Sequence, residues 1–335
     1  MIKHIICSTL LASAATLLSA NAFGADIEAF DMQKCVNMGN SFESPRDNPW
    51  GKPIDPEYFP MIKEKGFDTV RIPVRWSDYT QGSPDYTIEA DFMANVSTII
   101  EAALAQDLNV ILNVHHFEEI MEEPKAHSKK LLMIWEQLAE KFKDKPDSLW
   151  FEVINEPFNK LEGRDLLVLQ TKAVRTIRKT NPERIIILGG EDWSGIRTLD
   201  TNIMPPDANI VYTFHYYDPF PFTHQKAPWL GDAMPKKKRG WGSDEDHAEL
   251  KNAVEIATSF KAIIQRPLFV GEFGAYEKIK NSERVEYVGA VREAMEDAQI
   301  PWCLWSFSNT FALYDPEKSK WDKDMLEALI PGSSK

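Results

Sequence analysis

Residues 149–158 read LWFEVINEPF, an apolar run that carries Glu152 and Glu156 and closes on Asn155-Glu156-Pro157. Alternation of apolar and polar positions would mark a strand with one wet face, whereas a near-continuous apolar run marks a strand covered on both. Charge in such a strand is costly unless it is paired or used. Pro157 has no N–H to give a ladder, so the strand must stop directly after Glu156. Side chains alternate with period two, which sends Glu152 to the same side as Glu156 but lower, into dry surroundings. Glu152 therefore reads as a structural acid in a hydrogen-bond network, and Glu156 as an acid delivered to an opening.

Working outward, runs of the same kind recur at 35–40, 69–74, 109–115, 184–189, 210–216, 267–272 and 301–306. Helical patterns lie between them, as in DFMANVSTIIEAALAQ, SKKLLMIWEQLAEKFK, RDLLVLQTKAVRTIRKT, HAELKNAVEIATSFKAII and RVEYVGAVREAMEDA. Stop signals sit where helices should end, at Gly66 and at Asn181-Pro182. Eight apolar strands alternating with helices predict a parallel sheet covered by helices. In a chain of 335 residues they fit a single-domain α/β fold, the (β/α)8 TIM barrel. An open doubly wound sheet would need a glycine-rich phosphate loop after its first strand. Here the first run is followed by Ser41-Phe42-Glu43-Ser44-Pro45. No repeat, linker or low-complexity tract divides the chain.

In such a barrel the active site gathers at the C-terminal strand ends. Those ends carry Asn40, Arg71, His115-His116, Asn155-Glu156, His215-Tyr216-Tyr217, Glu272 and Trp305. Every strand but the fifth thus sends a polar or aromatic group to one rim, while strand starts such as Thr69, Leu149 and Leu268 show nothing similar. Glu156 and Glu272 close strands 4 and 7, which face each other across a closed barrel. Two carboxyls across a small gap suit glycoside hydrolysis, where one must be protonated and the other ionised. A metal reading of His115-His116 is weaker: neighbouring strand residues point to opposite faces, and no H-x-x-H or C-x-x-C spacing occurs. The acids Glu118, Glu119, Glu122 and Glu123 read as a solvated cluster, and Lys236–Arg239 as a solvated basic loop.

The formal charge of −13 argues against nucleic acid or an anionic membrane as partner. Ten Trp and nine Tyr supply faces on which sugar rings can stack. The N-terminus, with Lys3, an apolar stretch and Ala20-Asn21-Ala22, reads as a signal peptide over 1–22, leaving 23–335 as the mature barrel. The apolar stretch is shorter than the roughly 20 residues a membrane span needs. Secretion or a periplasmic location follows. Cys7 leaves with the signal. Cys35 and Cys303 could pair in an exported protein, or remain two buried thiols acting as small hydrophobes, which is the favoured reading.

The stretches NMGNSFE, TVRIPV, NVHH, FEVINEPF, FHYYDP, LFVGEFG and LWSF, spanning residues 37–307, resemble glycoside hydrolase family 5, which includes bacterial endo-β-1,4-glucanases. The resemblance implies a retaining enzyme with Glu156 as acid/base and Glu272 as nucleophile. It implies that Asn155 bonds the sugar 2-hydroxyl and that Arg71 and Tyr217 hold Glu272 ionised. Glu156, near that charge and partly desolvated, would have a raised pKa. His115 and His215 would line the reacting subsite, with Trp305 as its platform and Asn40 and His116 as further contacts.

The expected activity is hydrolysis of β-1,4-glucan by a monomer, with a polysaccharide or oligosaccharide substrate and no cofactor. A β-mannanase, a β-1,3-glucanase and a non-catalytic carbohydrate-binding barrel are the alternatives. The long connection 218–247 holds Phe220, Phe222, Trp229 and Trp241, so order is expected there, with Trp229 forming a wall of the cleft.

Overall fold

The computed structural model describes residues 27, 30–202, 207, 209–235 and 237–333. The signal-peptide reading and Lys236 lie outside them. The strands are β1 (Lys34–Asn37), β2 (Thr69–Ile72), β3 (Asn109–Asn113), β4 (Leu149–Glu152), β5 (Ile186–Gly189), β6 (Ile210–Tyr216), β7 (Leu268–Phe273) and β8 (Trp302–Leu304). They close in sequence order into an eight-stranded barrel, every neighbouring pair parallel and β1 joined to β8. The predicted TIM barrel is the observed fold.

All five helical patterns are helices: Ala90–Leu104, Pro124–Lys141, Gly163–Arg178, Asp244–Ile264 and Asn281–Asp297. Their apolar stripes, such as Leu131, Ile134, Trp135 and Leu138, pack against the outer faces of the strands. The expected alternation fails once. After β5 the chain makes a tight turn and then a 3₁₀ segment, Ile196–Asn202, in place of an α-helix.

Inside the barrel the period-two rule builds two layers. Cys35, Ile111, Trp150, Ile187, Val211, Phe269 and Cys303 form a dry apolar floor. Two residues further along their strands, Asn37, Asn113, Glu152 and Thr213 are also buried and polar, and Arg71 of β2 joins them. The floor corrects one expectation: Cys35 and Cys303 are not free thiols but are bonded to each other. They are direct partners across the β1–β8 seam, which brings their sulfurs together.

The strands are shorter than their apolar runs. The rim residues therefore stand on loops just beyond the ladder. His116 and Glu156 have left-handed backbones, φ 50° and 44°, a conformation that bulky residues adopt only when their surroundings impose it. The opposite-face argument for the paired histidines does not survive, because β3 ends at Asn113 and the two rings meet edge to face at 4.4 Å.

Candidate active site

Arg71 organises the polar layer from full burial. Its Nε and Nη2 donate to the two oxygens of Glu152 at 2.6 and 2.7 Å. Nη1 donates to Glu272 Oε1 at 2.7 Å and Asn37 Oδ1 at 2.8 Å, and Nη2 also donates to Asn155 Oδ1 at 2.6 Å. All five N–H groups of the guanidinium thus have acceptors. Burial works against its charge, yet Glu152 and Glu272 outweigh that and raise its pKa. Glu152 is the buried structural acid that its position in the apolar run predicts.

Glu272 stands opposite His215 where the β6–β7 register shifts. Its second oxygen accepts from Tyr217 Oη at 3.0 Å. His215 Nδ1 lies 2.7 Å from Glu156 Oε1 and 3.7 Å from Glu272 Oε2. Asn155 Nδ2 donates to the other oxygen of Glu156 at 3.3 Å. One ligand atom each of Glu156, His215 and Glu272 lie within 4.8 Å of one another, the one group among the described residues with the spacing to hold a metal ion. Of the three, His215 is hydrogen-bonded through Nδ1 to Glu156 only, and its buried Nε2 has no partner among the described residues.

These groups titrate together. Burial pushes the Glu156 carboxyl up, but the hydrogen bond and charge of His215 overcome it and bring Glu156 below the ordinary carboxylate value. For Glu272, burial and the Glu156 charge prevail over His215, Arg71 and Tyr217, so its pKa rises. Burial lowers His215, but Glu272 and Glu156 raise it further. This order reverses the expectation of a raised Glu156 and a lowered Glu272.

His115 is the opposite kind of histidine. Burial, then the neighbouring His116 and Arg71, push it well below its ordinary value. Asn113 Nδ2 can only donate, so His115 Nδ1, 3.1 Å away, accepts and the ring proton sits on Nε2. Its ring is stacked 5.7 Å from Trp305 at 14°. Gly39 permits Trp305 to sit there, since a Cβ at that position would lie 2.7 Å from the indole.

The remaining rim residues are spread wider. Asn40 bonds Thr310 Oγ1 at 3.2 Å and is not part of the Arg71 network; Asn37 is the β1 residue that joins it. His116 contacts the ring of Trp50. In the 218–247 connection Phe222 and Trp241 are buried, whereas Trp229 is half exposed. Trp229 packs on Tyr276 at 4.9 Å and near Phe311 and His224, and His224 in turn touches Tyr217.

Asn37 and Asn113 escape a reading that looks for charge at strand ends. Counting two positions from Cys35 and from Ile111 finds them. Glu43 is buried beneath the β1 rim, where it accepts from the backbone N–H groups of Asn40 and Ser41. Burial raises its pKa to about 7. It stands in a loop with no strand period to betray it.

The family model described as Cellulase (glycosyl hydrolase family 5) matches residues 21–311. Endoglucanase H of Acetivibrio thermocellus is 32% identical over 318 residues, covering 92% of this chain and 34% of that protein. Endoglucanase A of Ruminococcus albus is 29% identical over 344 residues, 91% of each chain. The chain spans 34%, 41% and 58% of the first three curated relatives it matches. Among solved structures, Thermotoga maritima Cel5A with mannotriose superposes with a TM-score of 0.87 at 37% identity, covering 89% of this chain and 97% of that one. The same enzyme with cellobiose gives 0.88 at 36% identity, covering 91% and 100%.

Proposed function

Because this chain belongs to glycosyl hydrolase family 5, we propose that it is a retaining endo-β-1,4-glucanase working by double displacement. The observation that carries the reading is the closeness of one oxygen of Glu156 to one of Glu272, within 4.8 Å. So close an approach agrees with the short carboxyl separation associated with retention.

Glu272 is the nucleophile in this reading. Arg71 and Tyr217 fix its two oxygens, one each, so the carboxylate is oriented before the sugar arrives. It attacks the anomeric carbon as the bond to the glycosidic oxygen breaks, and Glu156 gives that oxygen its proton. A sugar that excludes water disfavours separated charges. Before that step a proton crosses the 2.7 Å contact from His215 to Glu156, which so becomes the acid and is a carboxylate again once the leaving group has gone. In the second half, water gives its proton to Glu156 and displaces Glu272.

Asn155 would bond the 2-hydroxyl of the reacting sugar, with Trp305 beneath the ring and His115 and His215 beside it. Asn40, His116 and Trp229 would meet sugars farther along the cleft. The chemistry needs no cofactor, and a monomer suffices. Residues 1–22 would direct export. No helix of the described residues is long and apolar enough to cross a membrane.

A mannan is the second reading, favoured by the solved complexes of Cel5A with both cellobiose and mannotriose. Product analysis on a panel of β-glucans and mannans separates the two. Proton NMR of the first-formed product should show the β-anomer. An initial α-anomer would overturn the retaining mechanism.

A further inference from the structure

Glu272 accepts from two side chains, Arg71 and Tyr217, and they are supported differently. Arg71 stands on β2 and is locked by five acceptors of its own. Tyr217 is the first residue beyond β6 and stands outside the ladder. What holds it is a threonine. Thr223, with no exposed surface, closes the short helical turn Phe220–Thr223 in the connection after β6. Its Oγ1 donates to the backbone carbonyl of Tyr217 at 2.7 Å. The same oxygen lies 3.0 Å from His224 Nδ1. A hydroxyl has one proton, already given to the carbonyl, so the imidazole donates and Thr223 accepts. Burial pushes the His224 pKa down to about 4, which leaves the ring neutral. That ring meets the ring of Tyr217 edge to face at 5.0 Å.

One hydroxyl thus fastens Tyr217 twice, directly at its carbonyl and through His224 at its ring. The backbone of Thr223 adds a third tie, since its carbonyl accepts from the Tyr276 N–H at 2.9 Å. Tyr276 follows closely after Glu272 in the chain. Thr223 is therefore where the loop after Tyr217 meets the loop after Glu272. Burial holds the phenol of Tyr217 well above its ordinary pKa, so it remains a donor to Glu272. The charged and titratable groups that face Glu272 are His215, Glu156, Arg71 and Tyr217. Of these four, Tyr217 is the one that rests on Thr223.

We propose that Thr223 is a positioning residue for the reaction: its hydroxyl sets the place of Tyr217, and so of the donor that meets the second oxygen of Glu272. This rests on the double-displacement reading above. A buried hydroxyl that only tied down a loop could be replaced at a cost in stability alone. A hydroxyl that places Tyr217 also acts on the nucleophile, because a hydrogen bond to a carboxylate favours its charged form. Valine has nearly the same shape as threonine but no hydroxyl. It would leave the Tyr217 carbonyl and the His224 N–H without this partner.

The test is a double-mutant cycle between Thr223 and Tyr217. The pH profile of kcat/KM for an activated aryl β-cellobioside is measured in the parent, Thr223→Val, Tyr217→Phe and the double variant. Thermal melts establish that each is folded. Thr223→Val should lower kcat/KM about tenfold and move the acidic limb of the profile to higher pH, since a nucleophile with a weakened donor ionises later. Thr223→Ser should recover most of that loss. Tyr217→Phe leaves no phenol to place, so adding Thr223→Val to it should change kcat/KM by less than about twofold. Equal losses in the two backgrounds overturn the proposal. So does a Thr223→Val profile whose acidic limb stays at the parental pH, which would make Thr223 only a tie for the loop. Thr223→Ala carries the same comparison if the valine variant does not fold. Failure of the parent to form a covalent adduct with a 2-deoxy-2-fluoro-cellobiosyl donor would instead sink the double-displacement reading itself.

Discussion

Arg71 shows how much one buried residue can determine. Its five donors leave no slack: Glu152 anchors one edge of the guanidinium, and the other groups fix Glu272, Asn37 and Asn155 in relation to it. Removing it would strand two buried anions, which is why such a cation is hard to replace. In the double-displacement reading the chemistry falls to the two rim acids. Glu156→Ala should lower kcat by about 10²–10⁴-fold, and Glu272→Ala at least as much, with the fold retained. Azide with an activated glycoside should give an inverted glycosyl azide from Glu272→Ala and a retained one from Glu156→Ala. Near-parental turnover in either variant would remove the assignment. Glu43 gives a different test. Its folded pKa of about 7 lies above the ordinary 4.5, so between these values the folded protein keeps a proton that the unfolded chain has lost. Stability therefore falls as pH rises through that window, by up to about 3 kcal/mol. Glu43→Gln should flatten the fall, read by urea unfolding at pH 4 and pH 8, whereas parallel profiles would exclude Glu43 as its source. Charge in an apolar run made Glu156, Glu272 and Arg71 legible from sequence. Asn37 and Asn113 carry no charge, and their part depends on an arginine arriving from another strand.

At the scale of elements, the rim is shaped by where strands stop and how they kink. The β6–β7 pair shifts register between Phe214 and His215, which sets His215 opposite Glu272. Such bulges re-aim side chains beside active sites. Gly271 makes this one possible: a Cβ there would lie 2.5 Å from Thr213 Oγ1 and 3.0 Å from His215 Nε2. Gly271→Ala should therefore displace the imidazole and loosen its contact with Glu156. An overpacking cost of about 1–3 kcal/mol in stability is expected, together with a fall in kcat of about tenfold or more. A stability loss with unchanged kcat would show that His215 tolerates the shift. The strands and five helices were readable because apolar periodicity survives in each. The bulge was not, since GEF differs from an ordinary strand end only through its neighbour across the ladder. The turn after β5 was missed for a related reason. Pro157 and Phe158, on a different loop, contact the turn, and of Asp192-Trp193-Ser194 only Asp192 is of a type that tolerates a left-handed path.

At the scale of the whole molecule, a barrel must close, and the seam is where its first and last strands meet. Here β1 and β8 are joined by hydrogen bonds along three register pairs and by the Cys35–Cys303 bond at the middle one. The closure ties together residues 268 positions apart in the chain. Cross-links over long loops restrict the unfolded ensemble most, although measured gains level off at about 2–5 kcal/mol. The apolar floor would make either state of the two cysteines comfortable, which is why composition alone pointed to thiols. Only strand register brings the two together. The bond also lies just below the polar layer, since Asn37 Nδ2 sits 3.3 Å from Cys303 Sγ. Asn37 keeps two other acceptors, the carbonyls of Gly271 at 3.0 Å and Leu304 at 3.2 Å. Its hold on Arg71 should therefore outlast the loss of the sulfur. Replacing both residues, Cys35→Ala with Cys303→Ala, should lower the unfolding free energy by about 2–5 kcal/mol while leaving kcat within about twofold of the parent below the melting transition. Urea unfolding and turnover on the same sample check both halves. Unchanged stability would mean that the seam is held by its ladder and core alone. A large loss of kcat in folded protein would mean that the sulfur, and not the two carbonyls, sets the position of Asn37 and through it Arg71.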